Sequence, residues 1–548
     1  MQLIECVPNF SEGRDRSVID RITAEIIRVP GAILLDVDPG ADTNRTVVTF
    51  VGDRDAVAEA AFRSIVRAAE LIDMRHHHGA HPRMGATDVC PFVPVSGVTM
   101  DECIALAREV GARVGEHGIP VYLYEHAAFE GRRSLADARR GQYEGLAERS
   151  DSPDYGPAHN AGAGATAIGA REFLIAYNVN LNTTDRRMAH EIAQAIRELG
   201  TPRRDETGRI VKDAEDNTVF IPGRFRECKA VGWYLEEYRR AQVSINLTDY
   251  NVTSLQDVFD ACRREAAARG MRVTGSELVG LVPKAALLAA GDHYLRMQGQ
   301  TSGVSERRRL ETAVISLGLD ELGPFDLAEK VIEYRVETPA RLAALSVTDL
   351  LDELSSDSPA PGGGSVAALC GALSSSLTAM VAALTHAKRG WERSRQSMEQ
   401  LGCEAQQLDT WFTAAIDRDT DAFNNMLAAR RLQKQSAEEQ AIRLESIAAA
   451  NLEAALVPLE VLEHSVTALE LSLRVATAGN PNSVSDAGVA AICAEAAARG
   501  ASLNVRINLP GLAEDERDPI TERHDAAMMA VSHLAAEVRT TVEAAMEG

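Results

Sequence analysis

The eight cysteines of this 548-residue chain form no CxxC pair and no framework spacing. Cys6, Cys90, Cys103, Cys228, Cys262, Cys370, Cys403 and Cys493 are scattered, which argues against a disulfide scaffold and for buried free thiols in a reducing compartment. Basic excess is missing too. The formal net charge of -23 argues against nucleic acid, because phosphate neutralisation needs a basic surface; it leaves room for a small anionic substrate in a locally basic pocket. MQLIECVPNFSEG has neither a basic n-region nor an apolar h-region, so no signal peptide is expected and the protein is read as cytoplasmic. There is no GxGxxG opening a helix and no HExxH, which removes a dinucleotide fingerprint and a zinc-protease helix.

Large apolar residues are scarce in the one long charge-free run, SPAPGGGSVAALCGALSSSLTAMVAALTHA (358–387). It is long enough to span a bilayer but is made mostly of Ser, Gly and Ala, so it reads as a helix packed inside a bundle and no membrane span is expected.

What is present is two kinds of pattern. In 1–172 and again in 173–330, strand and helix signals follow the order strand, helix, strand, strand, helix, strand, which predicts two ferredoxin-like α/β units. Strands are expected at 3–6, 32–38, 45–52, 87–93 and 120–124, then at 173–181, 230–236, 241–250 and 278–283. The polar stretch 203–228 reads as a surface hairpin or loop. After a linker at 331–345 the strand signal disappears, and 346–548 predicts an all-helical bundle. Ser346 with Asp349 and Ser436 with Glu439 mark helix starts, and Gly500 is expected as a C-cap.

Several constellations could carry chemistry. In GAHPRMGATDVCPFVP (79–94), His81 stands before a proline, which holds it extended, and Gly79 and Gly85 allow turns on either side. A general base on a rigid loop fits this pattern, and so does a surface histidine bonded to backbone. His76, His77, His78 and His81 cluster as metal ligands would, yet no carboxylate partner stands at ligand spacing, so no metal is expected. Asp38, at a strand end in DVDPGADTNRT, could orient a histidine or simply stabilise a turn. The glycine-rich GPAHNAGAGATAIGA (156–170) permits close backbone approach to a flat ligand. PAPGGGS, with Gly362, Gly363, Gly364 and Ser365, opens a helix whose free N–H groups favour anions; Lys388 and Arg389 stand at its far end. In WFTAAIDRDTDAFNNML (411–427), a step of about 100° per residue puts Asp419 within the apolar stripe and Asp417 and Asp421 away from it. Burial there would raise the pKa of Asp419 and suit it to donate a proton, unless the helix is interrupted there or the carboxylate sits in a buried ion pair. Asn480, Ser485 and Asp486 in GNPNSVSDAG could line the same cavity or cap the next helix.

ECVPNFSEG, LLDVDPGADTNRTVVTFVG, GAHPRMGATDVCPFVP, GWYLEEYRRAQVSINLTDY and SELVGLVPKAALL resemble the transferase part of the formimidoyltransferase-cyclodeaminase family, and SPAPGGGSVAA, DRDTDAF and GNPNSVSDAGVAA resemble its cyclodeaminase part. The resemblance runs nearly end to end. It implies transfer of the formimidoyl group of N-formimidoyl-L-glutamate to N5 of tetrahydrofolate, including polyglutamylated forms, then ring closure onto N10 with loss of ammonia, in a dimer-based homo-oligomer that is octameric in vertebrate members. It implies His81 as the transferase acid/base, assisted by Asp38 and with Arg83 beside it. Gly156, Pro157, Ala158, His159, Asn160, Ala161, Gly162, Ala163 and Gly164 match the folate loop. Asp419 matches the cyclodeaminase proton donor, with Gly362 to Ser365, Lys388, Arg389, Asn480 and Asp486 as substrate contacts. Ala80 replaces an acidic residue of animal members, and the folate loop is one residue shorter. Three other readings stay open: one activity alone, a methenyltetrahydrofolate cyclohydrolase-like C-terminal half, or a non-catalytic folate-binding scaffold.

Overall fold

The computed structural model describes residues 2–547 except 42, 80, 130–132, 337–341 and 434. Ala80 and the 337–341 part of the expected linker therefore lie outside the described residues. The chain divides into two compact units, Met1–Ala286 with Leu317–Val336, and Leu287–Ser316 with Glu337–Gly548.

The first unit holds two principal sheets. One is built from β1 (Leu3–Cys6), β2 (Asn9–Phe10), β3 (Ile33–Gly40), β4 (Arg45–Gly52), β5 (Thr87–Ser96), β6 (Val121–Glu125) and β7 (Thr166–Ala170). β1 and β2 form one line between β4 and β5, with Cys6 opposite Phe50 and Asn9 opposite Val47 in continuous register. β3 flanks β4 antiparallel, and β7 runs parallel to both β5 and β6. Because side chains alternate along a strand, Ile4, Cys6, Phe10, Val48 and Phe50 point into a core shared with Ile22, Ile26, Val57, Ile65, Leu106 and Val110 of the covering helices. Glu5, Val7, Val47 and Thr49 take the opposite face, where they line a cavity.

The second sheet contains β8 (Ile175–Leu181), β11 (Cys228–Leu235), β12 (Arg240–Leu247) and β13 (Val273–Val279), antiparallel in the order β11-β12-β8-β13. Between β8 and β11, β9 (Thr201–Pro202) pairs with β10 (Phe220–Ile221) at the base of an exposed hairpin, as the polar composition predicts.

Two strands differ from expectation. β13 begins at Val273 rather than near 278, because Gly275 and the buried Ser276, whose hydroxyl donates to the Leu317 carbonyl at 2.7 Å, hide a strand inside a polar-looking stretch. TAIGA, read as the tail of a loop, is the buried strand β7. Its Gly169 is required by packing, since a Cβ there would lie 2.5 Å from the Tyr124 ring.

From Val347 to Glu547 the described secondary structure is helical throughout, dominated by Gly363–Ala387, Arg395–Arg431, Ala437–Ala478, Val484–Asn508 and Glu514–Glu547. Small residues let these helices approach closely. In Val484–Asn508, the buried Val484, Ala487, Ala491, Ala494, Ala498, Ala501 and Val505 recur at alternating spacings of three and four, the pattern of a helix seam. Gly500 lies inside this helix and is not a cap; its missing Cβ makes room for Ala367. The capping box at Ser436 and Glu439 is present, and Ser346 accepts from the Asp349 N–H. Among the described residues, Gly363–Ala387 alone is long and apolar enough to cross a membrane, and 56% of its most apolar window is buried inside the fold.

Candidate functional site

His81 sits on the loop leading into β5, above the strand face that carries Asn9 and Arg45. Nη1 of Arg45 lies 2.6 Å from His81 Nδ1 and 3.1 Å from Nε2, and the Pro82 carbonyl lies 2.6 Å from Nδ1. One neutral tautomer cannot both donate and accept at Nδ1. With the proton on Nδ1 shared with Pro82 O, Nε2 keeps the lone pair of a base. Burial first, then the Arg45 charge, hold the imidazole pKa below its ordinary value, so His81 is unprotonated at neutral pH.

Arg45 is itself fixed. Its Nε and Nη2 donate to Asn9 Oδ1 at 3.0 and 2.6 Å, and Nη1 pairs with Asp88 at 3.0 Å. Asp88, fully buried, also pairs with Arg139 at 2.7 Å and accepts the Met84 N–H at 3.0 Å. Leaving one charge of such a buried network with no partner costs about 3–5 kcal/mol. Asn9, Arg45, Asp88 and Arg139 were not singled out from sequence. The signal was there in PNF, TNRT and ATDVC, but nothing local says that three separated segments converge on one imidazole.

Asp38 does not join this network. It is exposed on β3, opposite Val47, with no hydrogen bond or ion pair among the described residues; the buried carboxylate near His81 is Asp88. Arg83 is buried and spent on the protein, donating to both Glu144 oxygens at 2.9 and 2.8 Å and to His77 Nδ1 at 3.2 Å. His77 in turn lies 2.9 Å from the Asn44 carbonyl, so this histidine has a structural place. Among the described residues no group of three or more His, Cys, Asp or Glu could hold a metal ion.

The 156–164 loop does come together with the His81 loop. Gly85 and Gly164 form a bridge, with Ala86 N donating to Ala163 O at 2.8 Å and Ala165 N to Met84 O at 2.9 Å. Gly164 has φ +71°, and a Cβ there would stand 2.4 Å from Met84 O. Asn160 holds the loop from within, accepting from Gly162 N and Ala163 N and donating to Gly118 O at 2.9 Å. Gly156, Pro157, Ala158, His159 and Ala161 remain exposed, Asn160 and Gly162 are half-buried, and Ala163 and Gly164 are buried.

In the helical unit, Asp419 meets the start of Gly363–Ala387. Ser365 Oγ donates to Asp419 Oδ2 at 3.3 Å and to the Ile416 carbonyl at 2.9 Å. Burial raises the Asp419 pKa against the hydrogen bonds from Ser365, and the carboxyl lies at a helix N-terminus. Asp419 alone was expected to be buried, yet Asp417, which accepts the Leu342 N–H at 2.9 Å, and Asp421 are half-buried as Asp419 is. Gly362 is half-buried and Gly363 exposed, whereas Gly364 and Ser365 are buried.

Lys388, Arg389 and Asn480 lie at the other end of this helix. Lys388 Nζ donates to Asn480 Oδ1, and Asn480 N donates to Thr385 Oγ1 at 2.9 Å. At 1.5 Å per residue, the helix separates Gly364 from Lys388 by about 36 Å. Asp486 follows on the next helix. One chain therefore does not bring these residues to Asp419.

Two α/β sheets with His81 on one face, followed by a helical unit in which Asp419 meets a helix N-terminus, are the layout of a two-part enzyme. The family models agree with this division. The chain belongs to the formimidoyltransferase-cyclodeaminase family: residues 3–171 match the formiminotransferase domain, N-terminal subdomain, 176–337 the formiminotransferase domain, and 346–524 formiminotransferase-cyclodeaminase. It is 41% identical to the formimidoyltransferase-cyclodeaminase of Rattus norvegicus over 100% of both chains. The glutamate formimidoyltransferase of Streptococcus pyogenes serotype M1 is 42% identical, over 54% of this chain and 94% of its own. The methenyltetrahydrofolate cyclohydrolase of Methylorubrum extorquens is 36% identical, over 32% of this chain and 85% of its own.

Proposed function

We propose that this chain moves the formimidoyl group of N-formimidoyl-L-glutamate to N5 of tetrahydrofolate, releasing L-glutamate, and then cyclises 5-formimidoyltetrahydrofolate to 5,10-methenyltetrahydrofolate with loss of ammonia. The observation that carries this is the full-length match to a bifunctional relative. His81 and Asp419 each stand in a protonation environment suited to one of the two steps.

In the transfer, N5 attacks the amidine carbon and His81 takes the N5 proton. When the bond to the glutamate nitrogen breaks, the same imidazole returns the proton to that nitrogen. The tight contact between the His81 loop and Gly164 supports the 156–164 loop as the folate cradle. In the second step N10 attacks the same carbon and its proton passes to the imino nitrogen; Asp419 then protonates the resulting amine, and the N5=C bond forms as ammonia leaves. Tetrahydrofolate is a co-substrate; neither step calls for a metal.

Strand order supports reading both halves of the transferase as ferredoxin-like. β11-β12-β8-β13, and β3-β4-β1/β2-β5 in the first sheet, place the strands of each half in the same order. The proposed boundaries are 1–172, 173–330, a linker at 331–345, and 346–548. Eight free cysteines support a reducing, cytoplasmic setting.

A homo-oligomer built on dimers is the reading that completes the second site. Val366, Leu373, Met380 and Leu384 are exposed along the helix whose two ends carry Gly364 and Lys388. Two copies paired antiparallel along that stripe would set Lys388 and Asn480 of one beside Asp419 of the other. The test of function supplies both substrates to the full chain and follows methenyl-folate absorbance together with ammonia. Their joint, equimolar rise supports two activities; 5-formimidoyltetrahydrofolate accumulating without ammonia reduces the chain to a transferase.

A further inference from the structure

A cavity of 480 Å³ opens on the sheet face that carries Glu5, Val7, Val47 and Thr49. Glu5 is the unusual wall. It is 5% exposed, and its carboxyl has no hydrogen bond or ion pair among the described residues. An unpaired buried carboxyl is costly unless it keeps its proton or meets a ligand.

The sheet face that lines the cavity leads on to the residues around His81. Along β1 and β2 the same face runs Glu5, Val7, Asn9; along β4 it runs Thr49, Val47, Arg45. Asn9 and Arg45 are the pair that fix His81. From Asn9 to Glu5 is four residues, about 13 Å. A glutamate bearing a one-carbon group on its nitrogen extends about 7 Å, and a hydrogen bond at each end fills the interval.

Charge fits as well. Arg171, Lys330 and Arg335 line the cavity with Asp36 and Glu329. Arg335 is engaged by the Leu35 carbonyl at 3.1 Å and by Glu329 at 4.0 Å, while the Lys330 ammonium has no partner among the described residues. With Glu5 protonated, three cations face two anions, complementing a ligand of two carboxylates and one amidinium.

We propose that this cavity is the subsite for the dicarboxylate amino-acid part of the transferase donor, where Glu5 with its proton donates a hydrogen bond to a ligand carboxylate and Arg171 and Lys330 hold its charge. The proposal rests on the transferase reading above. Desolvation pushes the Glu5 pKa up to about 7, opposed by Arg171. The other groups facing Glu5 are Asp36 from β3, Glu329, Lys330 and Arg335 from the end of the unit, and Cys6 behind it. The Cys6 thiol is held well above its ordinary value by burial and by Cys90, so it stays protonated. As pH rises through about 7, Glu5 ionises and the donor is repelled.

The experiment titrates N-formimidoyl-L-glutamate into the full chain carrying His81→Ala, which binds without turnover, at about pH 6 and about pH 8 by calorimetry. With a group titrating at about 7, Kd should rise about tenfold between the two. Adding Glu5→Gln should keep the tight low-pH Kd and flatten the dependence. Adding Lys330→Ala should weaken binding at both. Tetrahydrofolate affinity, unchanged in all three, reports that the unit is folded. A Glu5→Gln chain that keeps the parent's pH dependence, or that loses folate rather than donor affinity, overturns the subsite. A parent that binds no donor at either pH overturns it together with the transferase reading.

Discussion

Gly364 and Asp419 are in direct contact: a Cβ at position 364 would stand 1.9 Å from Asp419 Oδ1 and 2.4 Å from its Cγ. The glycine is thus what lets the carboxyl reach the helix N-terminus. Gly364→Ala should gain about 1 kcal/mol of helix propensity, yet displace the acid and slow cyclodeamination by roughly 10²-fold, the cost of misplacing a reacting group by about 1 Å. Transfer, measured as glutamate release, should be unchanged.

Ser365 donates a hydrogen bond that favours ionised Asp419. Removing the hydroxyl in Ser365→Ala should raise the Asp419 pKa further. An acid that must be protonated loses rate as pH rises through its pKa, so the alkaline limb of the cyclodeaminase pH profile should move to higher pH. An unmoved alkaline limb with an acidic limb that moves to higher pH would mean that Asp419 acts as an anion.

Arg45 also holds a pKa down, that of His81, where it acts second to burial. Arg45→Gln should raise it, moving the acidic limb of the transferase profile to higher pH. Because Asp88 keeps Arg139 as partner, the loss in stability should be about 1.5–3 kcal/mol, that of a hydrogen bond to a charged group. Rate against pH and a denaturant melt of the same variant check both.

Leu373→Lys with Met380→Lys should leave transfer intact and abolish cyclodeamination in step with the sedimentation of a smaller species, if two copies complete that site. Full cyclodeaminase activity in a monomer would show that the stripe has another purpose.

Much of this was legible from spacing alone. Asp419 falls on an apolar helical face, and burial raises its pKa; Pro82 follows His81, and the imidazole lies within hydrogen-bond distance of the Pro82 carbonyl and of Arg45. The rest depended on three-dimensional convergence. Arg45 and Asp88 reach His81 from β4 and β5, and no local pattern ties them to it. Strands β7 and β13 were missed or shifted because Gly169, Gly275 and Ser276 look like loop residues until the Tyr124 ring and the Leu317 carbonyl are placed against them. Lys388 stands at the far end of the helix that Gly364 opens, as the sequence indicates, and helix length keeps it about 36 Å from Gly364 within one chain.

The most direct measurement of the central claim follows the folate species made by two variants of the full chain. Given N-formimidoyl-L-glutamate and tetrahydrofolate, His81→Ala should form neither product at more than about 10⁻² of the parent rate, yet convert supplied 5-formimidoyltetrahydrofolate to the methenyl form at the parent rate. Asp419→Asn should release glutamate normally and accumulate 5-formimidoyltetrahydrofolate with little ammonia. Parent-rate transfer by His81→Ala, or parent-rate ammonia release by Asp419→Asn, would contradict the account.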